Sequence, residues 1–213
     1  MNEYVEAYTG PRGGGKSLTM AYSIYTKYLR AGIPVYSNMP VCIKDDGHVY
    51  KTLNLDTNDL IAMDKKLRGA CIAIDEIGRW VNSRRSMSDN NLTFAYIMQQ
   101  IRKLSLSVLY TVQKIEWVDV QLRFQTDLEF CCQDWYFKNR SAGKGNIILV
   151  DIKDLSGKVS GHSYYDTRRV WRHLTLKGKP IWGWYNSYKE QSVTDVNPFQ
   201  ITQKIKSTVN DLD

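Results

Sequence analysis

The most chemically specific stretch of the 213-residue chain is Gly10-Pro11-Arg12-Gly13-Gly14-Gly15-Lys16-Ser17. Successive backbone N–H groups in a glycine-rich loop can converge on an anion, and any side chain larger than hydrogen would block the approach. Gly10, Gly13, Gly14, Gly15, Lys16, Ser17 and Leu18 would then cradle a triphosphate. Lys16 would bridge its β- and γ-phosphates, and the Ser17 hydroxyl would ligate Mg²⁺ on the first turn of the following helix, whose dipole also favours an anion. The bland alternative is a glycine turn with an incidental lysine. The context argues against it, because the loop lies between an apolar run and an amphipathic one, as the motif requires.

A second constellation is Cys71-Ile72-Ala73-Ile74-Asp75-Glu76, an apolar strand ending in two carboxylates. If it lies beside the phosphate loop, Asp75 holds the metal shell and Glu76 polarises an attacking water. Taken alone, such a pair is also an ordinary solvated strand end. A fixed glutamate beside the metal aspartate suits hydrolysis better than transfer to a substrate hydroxyl. Gln113, at the end of an apolar run, can both donate to a γ-phosphate and accept from a lytic water. Arg102 and Arg123 are two guanidiniums that could offset transition-state charge in a neighbouring subunit, or simply solvate the surface.

These residues need a scaffold. Short apolar runs bounded by turn residues at Tyr4 to Tyr8, Pro34 to Ser37, Ala70 to Ile74, Ser107 to Val112 and Leu128 to Cys132 predict buried strands. Lys16 to Leu29, closed by Gly32 and Pro34, and Leu92 to Lys103, entered through Asn90 and Asn91, predict helices. Strands alternating with helices imply an α/β fold with a mostly parallel sheet flanked by helices. Beyond about Gln133, polar-aromatic stretches broken by glycine predict β-hairpins appended to that sheet. The expected organisation is one domain over residues 1–189, with a core at 1–134 and a β-rich basic extension at 135–189. A polar tail follows at 190–213.

Hydrophobic content of 43% and charged content of 24% exclude a wholly disordered chain. Cys42, Cys71, Cys131 and Cys132 show no metal-ligand spacing and read as reduced thiols, and His48, His162 and His173 are isolated. No apolar run is long enough to span a bilayer and the start of the chain lacks a signal-peptide pattern, so a soluble cytoplasmic protein is expected.

With these motifs in place, the sequence resembles the FtsK–HerA superfamily of ring-forming P-loop ATPases. The resemblance runs through the phosphate loop, Ile74-Asp75-Glu76, and Ile101 to Gln113; in that family an arginine precedes a strand ending in Thr-Gln, and the interval from Arg102 to Gln113 is the expected one. It covers roughly Glu3 to Asp134. Ser105 stands where members often carry glycine, which implies a different turn there. Within the superfamily the chain looks most like the genome-packaging ATPases of membrane-containing viruses and the zonula occludens toxin-like assembly ATPases of filamentous phages. Val35-Tyr36-Ser37-Asn38-Met39-Pro40 and Tyr164-Tyr165-Asp166-Thr167 resemble the latter.

The resemblance implies an ATP- and Mg²⁺-dependent, DNA-translocating ATPase, working as a homo-oligomeric, hexameric ring with Arg102 or Arg123 acting in trans. The phage assembly proteins normally continue into a transmembrane helix, absent here, which favours a motor that packages double-stranded DNA into a capsid. Capsid or virion vertex proteins are then the partners, in the host cytoplasm or on the virion. An extrusion ATPase at a membrane is the alternative, and a monomeric switch or small-molecule kinase a third reading.

The net charge of +7 is regional. Arg79, Arg84 and Arg85 follow the Asp-Glu pair, and ten lysines and arginines from Lys138 to Lys179, Arg140 and Lys144 among them, face only Asp151, Asp154 and Asp166. Cationic loops of this kind bind duplex DNA independently of sequence through phosphate neutralisation. A basic face docking on an acidic protein or lipid surface is the alternative. Trp171, Trp182, Trp184, Tyr185 and Tyr188 could stack on bases, although alternating aromatics are more often the packed face of a strand.

Overall fold

The computed structural model describes residues 4–55, 67–79, 98–134, 147–155, 167–173, 175–176 and 179–180. Its strands are β1 (Val5–Thr9), β2 (Val35–Ser37), β3 (Cys42–Asp45), β4 (His48–Lys51), β5 (Leu53–Asn54), β6 (Cys71–Ile74), β7 (Ser107–Thr111), β8 (Leu128–Asp134), β9 (Ile147–Asp154), β10 (Thr167–His173), β11 (Thr175–Leu176) and β12 (Lys179–Pro180). Eight of them form one sheet in the order β10-β9-β8-β1-β7-β6-β2-β5. The run from β8 to β5 is parallel throughout, and β9 and β10 extend it antiparallel. This is the mostly parallel α/β sheet of a P-loop NTPase-like fold.

The central strands read as continuous apolar runs because both sheet faces are covered. On β1 every residue is buried. Val5 and Ala7 pack with Ile72, Ile74, Val108 and Tyr110 on one face, under Met98 and Ile101 of the helical residues 98–104 and Leu122 of α2 (Val120–Gln125). Tyr8 turns to the other face, where Leu18, Met20 and Ala21 of α1 (Lys16–Ser23) meet Leu109, Phe130 and Cys132. Tyr8 stacks on Phe130 with centroids 4.8 Å apart, and burying side chains of this size contributes roughly 2 kcal/mol each.

The helix expected over Lys16 to Leu29 is one continuous coil in three geometries: α-helical to Ser23, π-helical over Ile24–Tyr28 and 3₁₀ over Leu29–Ala31. It ends at Gly32 with φ 72. The π turn carries Lys27, whose ammonium lies 2.5 Å from Glu6 Oε1, and Glu6, only 1% exposed, also accepts from the Tyr8 hydroxyl at 2.7 Å. A buried carboxylate requires such partners.

As the sequence predicts, antiparallel strands β9 and β10 are appended to the main sheet beside β8, and β11 and β12 pair with each other as a separate two-stranded unit. The β3–β4 hairpin, turned at Asp46 and Gly47, and helix α2 went unforeseen. The expectation at Ser105 is corrected. With φ 50 it takes the left-handed conformation natural to glycine, so the turn before β7 keeps a glycine-like path. The start of the helix predicted over Leu92 to Lys103 and the polar tail lie outside the described residues.

Candidate active site

All parallel strands of the sheet point their carboxyl ends to one edge, the usual place for a ligand in such folds. The glycine-rich loop leaves β1 at that edge. Gly10, Gly13 and Gly15 have φ values of 136, 71 and 82, which only glycine adopts without strain. Gly10 has a second reason. A Cβ there would lie 2.2 Å from the Cys132 carbonyl oxygen on β8, so loop and strand main chains touch directly. The Gly10 amide donates to Gln113 O at 3.2 Å, tying the loop to the segment after β7.

Gly15 caps α1 without a side-chain hydrogen bond. The first-turn amides of a helix have no intrahelical acceptor, so those of Lys16, Ser17 and Leu18 face the loop's concavity with the positive end of the helix dipole behind them. The Gly14 amide differs from expectation, because it donates to Pro11 O at 3.1 Å inside the loop. Lys16 Nζ donates to the same carbonyl at 2.8 Å. Burial lowers the Lys16 pKa below the ordinary lysine value, against the opposing pull of Cys132, Asp75 and Glu76.

The strand ending in Asp75 and Glu76 is not the immediate neighbour of β1, since β7 stands between β1 and β6. The carboxylate nonetheless reaches the loop: Ser17 Oγ donates to Asp75 Oδ1 at 2.8 Å. Thr111 Oγ1, at the end of β7, donates to the same oxygen at 2.7 Å and accepts from the Glu76 amide at 2.8 Å. Glu76 is exposed and has φ 53, while the next residue, Ile77, is fully buried and anchors the turn.

A hydroxyl and a carboxylate oxygen this close form a donor set that suits a hard divalent cation. No cluster of three His, Cys, Asp or Glu occurs among the described residues. Mg²⁺ takes one or two protein oxygens and fills its shell with water and substrate phosphate, so Ser17 and Asp75 are the residues that would hold it.

Gln113 sits beside Gly10 at the rim of a shallow cavity of about 590 Å³ whose lining also includes Thr9, Trp117 and Glu129. Its contact to the loop is through the main chain. Arg102 and Arg123 are not brought to this edge. Arg102 lies before β7, where its carbonyl accepts from Ser105 N, and Arg123 lies in the last turn of α2 leading into β8. Asp127 N donates to Val5 O at the start of β1, which puts that junction at the opposite edge of the sheet. The main chain of Arg79 lies in a 3₁₀ turn over Ile77–Arg79. Arg84, Arg85, Lys138, Arg140 and Lys144 lie outside the described residues, as do Trp182, Trp184, Tyr185 and Tyr188.

Sequence reasoning missed Thr111 and Asn38 as site residues. Their signal was position, since each lies at the carboxyl end of a strand flanking β6. No helix among the described residues is long and apolar enough to cross a membrane. The four cysteines are unbridged.

No protein-family model and no curated protein matches the sequence. Solved structures do. The N-terminal domain of zonular occludens toxin from Neisseria meningitidis superposes with a TM-score of 0.60 at 13% identity, over 87% of this chain and 100% of that one. The genome packaging NTPase B204 from Sulfolobus turreted icosahedral virus 2, in complex with AMPPCP, superposes with a TM-score of 0.49 at 15% identity, over 79% of this chain and 98% of that one. What the chain shares with the zonular occludens toxin domain is its fold.

Proposed function

We propose that the protein is a Mg²⁺-dependent ATPase that drives double-stranded DNA into a viral capsid. The observation that carries the ATPase reading is the 2.8 Å contact of Ser17 Oγ with Asp75 Oδ1, made by a hydroxyl on the phosphate loop and a carboxylate from a separate strand. The loop's first-turn amides and Lys16 would hold the triphosphate. Ser17 and Asp75 would hold the metal, which supplies charge neutralisation at the β- and γ-phosphates. Glu76 takes a proton from the attacking water as the water oxygen bonds to the γ-phosphorus and the bond to the bridging oxygen breaks. Gln113 orients that water.

The motor part of the reading rests on the regional positive charge and on the family resemblance. Arg79, Arg84, Arg85, Lys138, Arg140 and Lys144 are its DNA contacts, neutralising phosphates without reading bases. Arg102 or Arg123, remote from its own subunit's loop, serves the neighbouring site in a hexameric ring docked at a capsid vertex. The test is ATP turnover with and without duplex DNA at low and high salt. Mg²⁺-dependent hydrolysis stimulated by DNA and suppressed by salt is expected. Hydrolysis that DNA at low salt neither binds nor stimulates would remove the motor while leaving the ATPase. Mixing Lys16→Ala with Arg102→Ala subunits should partly restore activity if the two residues serve shared sites.

A second reading, a phage assembly ATPase that extrudes nucleoprotein at a membrane, is favoured by the fold shared with the zonular occludens toxin domain over 87% of the chain. Co-flotation with lipid vesicles, and stimulation by them rather than by DNA, would select it.

A further inference from the structure

Asn38 follows β2 directly, and its side-chain amide closes a two-bond ring with the main chain of Asp75. Nδ2 donates to Asp75 O at 2.9 Å, and the Asp75 amide donates to Oδ1 at 2.7 Å. The backbone ladders around β6 stop just short of this point. The pairing with β2 ends at Ser37↔Ala73 and that with β7 at Ile74↔Tyr110. Beyond them, a side chain from each flanking strand carries on the bonding: Asn38 from β2 holds both main-chain polar groups of Asp75, and Thr111 from β7 takes the Glu76 amide.

This hold is needed because Glu76 is left-handed at φ 53. A non-glycine residue there is strained, because its Cβ crowds the following carbonyl oxygen, and such strain persists only where the surroundings over-determine it. Without the clamp, the chain after Ile74 could relax to an ordinary extended path and swing both carboxylates. Asparagine is the residue suited to the task, because a planar amide offers one donor and one acceptor side by side. Aspartate in its place would set a carboxylate oxygen against the Asp75 carbonyl. The turn that seats the amide is itself fixed, with Met39 N bonded to Ser37 Oγ at 3.0 Å and the Met39 side chain buried.

We propose that Asn38 is a positioning residue that locks the Asp75–Glu76 turn in its reactive geometry through the Asp75 main chain. The role in turnover rests on the ATPase reading above, whereas the hold on Asp75 can be read without it. Two measurements on the full chain separate them: steady-state ATP hydrolysis, and Mn²⁺ titration by electron paramagnetic resonance with a non-hydrolysable ATP analogue bound. Asn38→Ala should lower kcat by about 10- to 100-fold and weaken Mn²⁺ by about tenfold, the usual cost of removing a residue that supports a metal ligand. Its KM and its metal-free analogue affinity should stay within about threefold. Asn38→Asp, of the same size but lacking the donor, should behave alike and carries the test if the alanine variant is unstable.

Unchanged kcat and Mn²⁺ affinity in these variants would overturn the proposal. So would a parallel loss of metal-free analogue affinity, which would mean general damage to the loop. A wild-type protein that binds nucleotide and Mn²⁺ without hydrolysis, but loses Mn²⁺ affinity on Asn38→Ala, would sink the ATPase reading and leave the Asn38 hold standing.

Discussion

The hydroxyl of Ser17 and the carboxylate of Asp75 lie 58 positions apart in the chain and 2.8 Å apart in the fold. Ser17 is on the helix that leaves the glycine-rich loop after β1, and Asp75 follows β6, two places from β1 in the sheet. Only the common carboxyl edge of the sheet brings them together. Ser17→Ala should cost about 1 kcal/mol of stability, the typical worth of one hydrogen bond. It should lower Mg²⁺-dependent turnover far more, by about 100-fold, whereas Ser17→Thr keeps the hydroxyl and most of the activity. Denaturant melts and steady-state rates for the pair decide this. An alanine variant as active as wild type would remove Ser17 from the metal shell.

Gly10 should tolerate no side chain. Alanine there would need both φ 136 and a Cβ 2.2 Å from Cys132 O, a main-chain atom that cannot swing away. A cost of about 3 kcal/mol or more is expected. Gly47, at φ 77 with open space around it, is the control, and its alanine variant should lose only about 1 kcal/mol. Equal losses in urea unfolding would show that the close approach to β8 carries no special weight.

Ser105 is held at φ 50 in the turn before β7. Glycine would relieve about 1 to 2 kcal/mol of left-handed strain and add about 0.5 to 1 kcal/mol of unfolded-state freedom. Ser105→Gly is therefore expected to raise stability by roughly 0.5 to 1 kcal/mol, visible as a higher denaturant midpoint with an unchanged slope. A lower midpoint would contradict the strain argument.

Lys16 is depressed below the ordinary lysine value, burial being the leading cause. Between its folded pKa and the ordinary lysine value the unfolded chain binds more protons than the native one, so this group makes stability rise with pH there. A bound triphosphate favours the charged ammonium and pulls a proton back on. Calorimetric titration of a non-hydrolysable ATP analogue across alkaline pH should show net proton uptake that grows as pH rises toward the ordinary lysine value, detected as a binding enthalpy that varies with buffer ionisation heat. A buffer dependence that does not change across that range would mean that Lys16 does not respond to the phosphates.

The loop from Gly10 to Ser17, the five central strands and the Asp75–Glu76 pair were legible in the sequence because their information is local. Glycines mark the positive-φ positions, and apolar runs mark strands buried on both faces. The π turn over Ile24–Tyr28 carries no local mark, and the ion pair its Lys27 makes with Glu6 of β1 joins residues far apart in the chain. The appended antiparallel strands β9 and β10 were legible as well, from glycine-broken polar-aromatic stretches, whereas their register against β8 is a long-range matter.

The sequence by itself therefore determined which atoms could meet a phosphate chain and a divalent cation, through residue type and spacing. Tertiary structure alone decided that β7 separates β1 from β6, that Thr111 and Asn38 brace the acidic turn from either side, and that Arg102 and Arg123 lie away from the loop. Strand order is set by long-range pairing, and pairing partners leave no trace in the spacing of residues along one strand.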